Sequence, residues 1–173
     1  GNTHLLEHEI HTKLGPPINQ KVRPINPHLE KSLKAQVDEW LREGVVNPSS
    51  SPWSTALVPV AKKDGRTRWC LDFRALNART LRDSYPIGNI AANLSSLSGS
   101  TCFSTIDCVG AFHAVNLHKD SRAKTAFSTP FGHFEFCKLP FGLSNGPATY
   151  AQMIQRALEG LPPSLLIPYL DDL

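Results

Sequence analysis

Several features that mark whole classes of protein are scarce or missing in this sequence. The longest apolar runs, such as residues 165–167, are far shorter than the roughly 18 residues of a membrane span. The four cysteines show no Cys-x-x-Cys spacing, which argues against a zinc site, and no secretory signal precedes them. We therefore expect reduced, mostly buried thiols in an intracellular protein. A net charge of +3 is too small to indicate a nucleic-acid-binding protein by itself.

What remains is an ordinary globular composition, with 173 residues of which 40% are hydrophobic, enough for one core. Helices and strands are predicted without a regular β-α alternation, which indicates an α+β fold. The helices are expected at 28–43, ending at Gly44, at 85–97 and from Pro147 to Gly160. The strands are expected as a hairpin of 56–60 and 67–73 around Asp64-Gly65, a second hairpin of 124–129 and 133–139, a buried strand at 102–107, and a strand at 165–170.

The segment 1–27 contains four prolines and no clear periodicity, which is typical of a linker or an extended arm. His4 and His8 have the i, i+4 spacing of two metal ligands on one helix face, and His11 follows. However, Gly15 and two prolines come directly afterwards, and no carboxylate stands in a metalloprotease arrangement. The pattern therefore favours solvent-exposed histidines over a metal site.

Three aspartates follow apolar runs, where a carboxylate is costly unless a cation or hydrogen-bond donors accompany it. Asp107 ends the run at 102–106, and Asp171 and Asp172 end the run at 165–170. A shared divalent cation would satisfy them, and carboxylate oxygens suit Mg²⁺ or Mn²⁺ better than zinc. Neighbouring residues on a flat strand point to opposite faces, so we expect a tight turn at Asp171-Asp172. Taken alone, an aspartate at a strand end is most often a solubilising or turn residue, and a single Asp-Asp pair is a weak signal.

A cluster of cations surrounds the first predicted hairpin, because seven of the 18 Lys and Arg residues fall within 62–82. A charged turn is most often simply a solvated hairpin. A basic hairpin is also suited to bind a triphosphate, since Arg grips phosphate oxygens in a bidentate manner and Lys supplies a point charge.

Together with the aspartates, these residues complete a set of motifs that resembles the reverse transcriptases of gypsy-type long-terminal-repeat retrotransposons, and more distantly those of retroviruses. The similarity runs from about His8 to Leu173. Any one motif is weak evidence, but all of them occur in the order of the family. They are residues 43–46, 48–49 and 51–53, Lys62-Lys63-Asp64-Gly65, Leu71-Asp72-Phe73-Arg74-Ala75-Leu76-Asn77, Tyr85-Pro86-Ile87, residues 103–107 and 124–127, Pro140-Phe141-Gly142-Leu143, and Tyr169-Leu170-Asp171-Asp172.

The resemblance implies a right-hand polymerase fold that stops after the Tyr169-Leu170-Asp171-Asp172 turn. After the arm, the fingers would span 28–84 and 115–145, and an incomplete palm 85–114 and 146–173. It also implies an RNA-directed DNA polymerase that uses deoxynucleoside triphosphates, two Mg²⁺ ions (or Mn²⁺) and an RNA or DNA template with its primer. The rest of a Pol polyprotein, with thumb, ribonuclease H and integrase, would accompany it, in a virus-like particle of the cytoplasm and without membrane attachment.

The resemblance further implies a role for individual residues. The metal ions would be held by Asp107, Asp171, Asp172 and the backbone carbonyl of Cys108. Phe112 matches the aromatic steric gate that excludes a 2′-hydroxyl, although its pattern alone fits a core aromatic. The other deoxynucleotide-binding positions would be Lys62 (with Lys63 as the alternative), Arg68, Ala111 and Phe141, and the template positions Arg74, Asn77 and Gly142. Gly146 departs from the family, which commonly has Ala there.

Two other functions fit parts of the pattern. An RNA-dependent RNA polymerase would share the palm, but Phe112 argues against it because ribonucleotides need space for the 2′-hydroxyl. An inactive retroelement remnant would at most bind nucleic acid. Because the chain stops after Asp172, we expect negligible polymerase activity from these 173 residues alone.

Overall fold

The computed structural model describes residues 3–63, 65, 67–86, 95, 97–108, 110–162 and 166–168. Its described part mixes helices with short strands, in agreement with the α+β prediction. The helices are α1 (Pro27–Arg42), α2 (Arg74–Arg79), α3 (Lys119–Arg122) and α4 (Gly146–Ala157), with 3-10 turns at Ala111–Ala114 and Ala123–Thr125. The strands are β1 (Glu7–His8), β2 (Val46–Pro48), β3 (Leu57–Ala61), β4 (Thr67–Leu71), β5 (Asn116–Leu117), β6 (Phe127–Thr129) and β7 (Gly132–Phe136).

Helix α1 forms where the apolar periodicity predicts it and carries signals at both ends. The side chain of Asn26 accepts a hydrogen bond from the backbone N–H of His28, and Pro27 occupies the first turn, where its missing N–H costs nothing. Gly44 follows the helix with φ of 65°, a left-handed conformation that glycine adopts without strain. The buried stripe of the helix consists of Leu33, Val37 and Trp40.

The stripe of α1 faces an antiparallel sheet with the strand order β2-β7-β6. The Trp40 ring lies 6.0 Å from Phe127, edge to face, and 5.6 Å from Phe136. Both phenylalanines are buried, and offset or edge-on aromatic pairs add stability beyond the area they bury. This aromatic packing joins α1 and the second predicted hairpin into one core.

The first predicted hairpin is also confirmed, because β3 and β4 pair antiparallel in the register Leu57 with Leu71. Trp69 anchors its base: the ring is buried, and the indole N–H donates to Ser32 Oγ of α1 at 3.3 Å. Successive side chains of a strand alternate between its two faces. Arg68 is therefore directed away from this anchored face, and it is exposed.

The N-terminal arm is extended, as predicted, but it packs against the rest of the chain. Strand β1 pairs parallel with β5, and Ile10 is buried with its N–H bound to Ser121 Oγ. The prediction of exposed histidines is wrong for His8, which is 2% exposed. The parallel pairing inserts its ring beside α4, a long-range contact that local sequence does not signal.

The segment 102–107 differs most from its prediction. Within the part of the chain that the structure describes, no strand pairs with 102–106, and Phe103 and Ile106 are 63% and 55% exposed. An apolar strand is buried only where another layer of the fold covers it, and the described residues form no layer that covers 102–106. The expected helix at 85–97 and strand at 165–170 fall largely outside the described residues, and so does the expected turn at Asp171-Asp172.

The burial of the cysteines differs from the one predicted. Of the cysteines, only Cys137 is buried, whereas Cys70 and Cys108 are half-buried and Cys102 is exposed, so the expectation of mostly buried thiols is wrong. Cys102 lies in the uncovered segment, which explains its exposure. Among the described residues, no helix is both long and apolar enough to cross a bilayer.

Candidate functional site

The Phe112 side chain is positioned by a tight turn directly after Asp107 and Cys108. Gly110 adopts φ of 66° and ψ of 28°, and the N–H of Ala111 donates to the carbonyl of Cys108 at 3.1 Å. A non-glycine residue is strained in this left-handed conformation, so glycine suits the turn. The chain then forms the 3-10 turn Ala111–Ala114, with Ala111 buried and Phe112 half-buried.

Phe112 belongs to a group of three rings, which we call the aromatic cluster: Phe112, Phe141 and Tyr150. The Phe112 ring stacks on Tyr150 with centroids 5.3 Å apart and 24° between the planes. Phe141 lies 4.8 Å from Phe112 at 50° and is 59% exposed, whereas Tyr150 is 1% exposed. The cluster therefore has a fixed buried base in α4 and an exposed apolar side.

The predicted template residue Asn77 is joined directly to Gly142. Its side-chain amide donates to the Gly142 carbonyl at 2.8 Å, and its carbonyl oxygen accepts from the N–H of Ser144 at 2.9 Å. Gly142 has φ of 96°, which favours glycine. Asn77 thus fixes the turn that carries the neighbouring Phe141, so two residues predicted from separate motifs meet in the structure.

The other predicted template residue, Arg74, forms a two-point ion pair with Asp72. Arg74 Nε and Nη2 donate to the two carboxylate oxygens at 2.7 and 2.6 Å, and Arg23 Nη2 approaches at 3.7 Å. The hydrogen bonds from Arg74 are the main reason that the pKa of Asp72 falls to about 2. The Arg74 side chain nevertheless remains 84% exposed, so the pair holds it at the surface.

The predicted triphosphate residues lie on the first hairpin. Lys62 is half-buried at the end of β3, Lys63 is exposed in the turn, and Arg68 is exposed on β4 opposite Val60. Within the described residues, no hydrogen bond or ion pair joins these three side chains to the aromatic cluster. The hairpin therefore presents its cations to solvent.

Asp107 is exposed, and no described residue forms a hydrogen bond or an ion pair with its carboxylate. Asp171 and Asp172 lie outside the described residues, and within the described ones no group of three or more His, Cys, Asp or Glu side chains is placed to hold a metal ion. The carbonyl of Cys108 accepts from Ala111, and a second lone pair of that oxygen remains. The structure thus shows one predicted carboxylate exposed to solvent, with the predicted carbonyl ligand on the next, half-buried residue.

Sequence reasoning missed two residues that shape this site. Tyr150 lies within the helix predicted from Pro147 to Gly160, but helical periodicity does not reveal which ring it will meet. The motif that contains Asp72 assigns it no role, although its spacing of two residues from Arg74 is a signal for a local ion pair. Both act on residues that were predicted, namely Phe112 and Arg74.

The solved structures that share this fold include reverse transcriptases. The chain superposes on a crystal structure of the prototype foamy virus protease-reverse transcriptase with a TM-score of 0.88 and 30% identity, over 99% of this chain and 23% of that one. A structure of the foamy viral protease-reverse transcriptase in complex with an RNA/DNA hybrid gives a TM-score of 0.88 at 29% identity, with the same coverage of both chains. The fold is therefore that of a reverse transcriptase, which confirms the fold predicted from sequence.

The chain belongs to the family described as reverse transcriptase (RNA-dependent DNA polymerase), whose profile matches residues 60–173. Its curated relatives include the retrovirus-related Pol polyproteins of the Drosophila melanogaster transposons opus, 36% identical over 95% of the chain, and 297, 35% identical over 99%. The gypsy transposon polyprotein of that fly is 30% identical over 94% of the chain. The chain spans 17% of the length of the opus and 297 polyproteins.

Proposed function

We propose that the protein containing this chain copies an RNA or DNA template into DNA by adding deoxynucleoside triphosphates to a primer 3′-hydroxyl. Residues 28–84 and 115–145 would form the fingers and residues 85–114 and 146–173 the palm, after the arm at 1–27. Membership of the family supports the reaction class. The family resemblance also supports a Pol polyprotein with further domains and a location in cytoplasmic particles.

The observation that carries the proposal is the position of Phe112. The ring stands on the buried Tyr150, beside the exposed Phe141, and five residues after the exposed Asp107. A ring next to a carboxylate site can exclude a 2′-hydroxyl by contact, and the buried Tyr150 prevents Phe112 from moving in the direction of that stack. Ala111, buried directly before it, would line the same pocket.

The surrounding cations fit the same reaction. Lys62 or Lys63 and Arg68 on the hairpin would bind the triphosphate, where charge stabilisation and positioning supply most of the catalysis of phosphoryl transfer. Arg74, Asn77 and Gly142 would line the template, since the Asn77 contact fixes Gly142 and the Asp72 pair holds Arg74 at the surface. Arg contacts to phosphate are suited to positioning a nucleic-acid strand.

The proposed metal ligands are hard oxygen donors, which fits Mg²⁺, with Mn²⁺ as an alternative. Asp107, Asp171, Asp172 and the Cys108 carbonyl would hold two ions. When bound, two such ions stabilise both the attacking and the leaving oxygens of a phosphoryl transfer. The carboxylate of Asp107 is available for this role, because no described residue pairs with it.

Primer extension on an RNA template tests the proposal, using the Pol protein that contains this chain. Asp107→Asn and Asp171→Asn should each reduce deoxynucleotide incorporation by about a thousandfold or more, since metal stabilisation is worth several kcal/mol. Asp38→Asn is the matched control: the same chemical change on the exposed face of α1 should leave incorporation unchanged.

Incorporation that is insensitive to both variants would overturn the metal assignment. Binding of a primer-template without any incorporation by the unmodified protein would instead indicate an inactive remnant.

A further inference from the structure

Gly146, the first residue of α4, is buried next to the ring of Phe112. A Cβ atom at this position would lie 3.4 Å from Cε1 and 3.7 Å from Cδ1 of Phe112, and 3.8 Å from Cδ1 of Leu139. These are ordinary van der Waals distances, so an alanine methyl would touch the ring edge without overlap. Because glycine lacks that methyl, a gap of about its size lies beside the ring.

One backbone effect bears on this position: Pro147 follows directly, and a proline disfavours the helical conformation in a preceding residue that carries a Cβ. Gly146 is helical, unlike Gly110 and Gly142, whose φ values are 66° and 96°. Glycine in a helix is less favourable than alanine by up to roughly 1 kcal/mol. The missing side chain of Gly146 also changes what the neighbouring residues contact, above all the ring of Phe112.

The gap borders one edge of the Phe112 ring. Tyr150 covers one face of the ring and is itself buried, and Phe141 lies at an angle on another side. A ring pressed by a bulky sugar cannot move into Tyr150, but it can shift toward Gly146. Protein cores are close-packed, so a gap of one methyl is a real freedom of movement.

We propose that Gly146 is a positioning residue that sets how strictly Phe112 discriminates between deoxyribonucleotides and ribonucleotides. This inference depends on the proposed function, because it needs Phe112 to contact the sugar. A 2′-hydroxyl adds one heavy atom to the sugar, and the missing Cβ leaves room for one heavy atom behind the ring. The glycine therefore gives a yielding gate, and an alanine there makes the gate rigid.

The test is a double-mutant cycle in the Pol protein that contains this chain. Gly146→Ala should raise the ratio of kcat/KM for dCTP to that for CTP by about fourfold, the effect of packing one methyl group. The value for dCTP itself should change by less than about twofold, since a deoxyribose does not press on the ring. In the background of Phe112→Val, Gly146→Ala should leave the ratio unchanged, because no ring remains to be supported.

The control is Ala157→Gly, which changes one methyl in the same helix eleven residues away, roughly 16 Å along its axis. It should not alter the ratio. Should Gly146→Ala fail to fold, as judged by circular dichroism, Gly146→Ser places the same Cβ atom beside the ring with a residue that helix N-termini accept.

The possible failures are distinguishable. No dCTP incorporation by the unmodified protein refutes the proposed function, and a ratio unaffected by Phe112→Val refutes the gate. If the unmodified protein incorporates dCTP and Phe112→Val lowers the ratio, two results would still overturn the role of Gly146 alone. They are an unchanged or lower ratio in Gly146→Ala, and a change of the ratio that persists in the Phe112→Val background.

Discussion

His8 Nδ1 lies 2.6 Å from Thr149 Oγ1, which joins the N-terminal arm to helix α4 across 141 residues of sequence. The Thr149 hydroxyl also donates to the carbonyl of Asn145 at 3.2 Å. The hydroxyl has one proton to give, so we assign Nδ1–H of His8 as the donor to Thr149. A protonated His8 would keep this bond, and the cost of charging the ring comes from burial.

The first prediction concerns pH. Burial lowers the pKa of His8 from 6.5 to about 4, although nearby Asp83 acts in the opposite direction. Below pH 6.5 the unfolded chain binds a proton that the folded chain does not. The stabilisation is therefore complete above pH 6.5 and is lost as the pH falls toward 4. Between pH 7 and pH 5 the free energy of unfolding should fall by about 2 kcal/mol from this group alone.

Urea denaturation at the two pH values measures this loss. The Asn side chain in His8→Asn keeps a donor for Thr149 but does not titrate. Between pH 7 and pH 5 this variant should therefore lose about 2 kcal/mol less free energy of unfolding than the unmodified chain. His4→Asn, on an exposed residue of the same arm, should behave as the unmodified chain does. Equal pH sensitivity of the chain and of His8→Asn would contradict the assignment.

The second prediction concerns Asp72. Arg74→Ala removes the two hydrogen bonds that lower the pKa of this carboxyl, so the pKa should rise from about 2 toward 3.8. Because the folded-state pKa is depressed, the associated stabilisation is present above pH 3.8 and is lost as the pH falls through 2. Arg23→Ala should raise the pKa less, since Arg23 acts only through its charge at 3.7 Å. Carbon-13 NMR titration of the carboxyl reports both values, and an equal effect of the two variants would refute the ranking.

The third prediction concerns the turn at Gly142. Asn77→Ala removes both hydrogen bonds of the side chain and should lower the free energy of unfolding by about 1 kcal/mol, because the site is partly open to water. Asn77→Asp keeps an acceptor for Ser144 but places a carboxylate against the Gly142 carbonyl. If the Gly142 contact matters most, Asp should destabilise at least as much as Ala. Denaturation of the two variants measures their stability. If Asn77→Asp is as stable as the original chain, the hydrogen bond to Ser144 stabilises the turn rather than the one to Gly142.

The fourth prediction concerns nucleotide selection. Phe112→Val should lower the preference for deoxyribonucleotides by about 10- to 200-fold. That is the range by which a pocket distinguishes substrates that differ by one small group. Single-nucleotide incorporation with dCTP and CTP measures the ratio. Phe131→Val is the control, since Phe131 lies in the β6–β7 turn, where Lys34 approaches its ring. A ratio unaffected by Phe112→Val would exclude the gate.

The predicted elements were correct where local chemistry decides the structure. The apolar stripe with Asn26, Pro27 and Gly44 defines α1, and the sequence pair Asp64-Gly65 predicts a hairpin whose strands β3 and β4 do pair. These signals operate between residues close in sequence, so a single sequence contains them. The same is true of the order of the reverse transcriptase motifs.

Long-range packing was not accessible in the same way. Nothing near His8 indicates that its ring will reach Thr149, and nothing in 102–106 indicates that Phe103 and Ile106 stay uncovered. In the candidate site, too, the sequence motifs identify residues but not the long-range contacts between them. Phe112 and Asn77 were predicted from motifs, but the support of Phe112 by Tyr150 depends on how α4 packs.

The docking of the arm bears on how this protein is made on the ribosome. Leu5 accepts a hydrogen bond from Arg156 at 2.7 Å, and His8 contacts Thr149, so these residues of the arm bind partners that are synthesised about 150 positions later. At about 5–20 residues per second, the arm waits roughly 7 to 30 s for them. During translation, the pairing edge of β1 is a bare strand open to other chains. Synthesis of β5 is thus the event that covers this edge, and completion of α4 then holds the arm through Leu5 and His8.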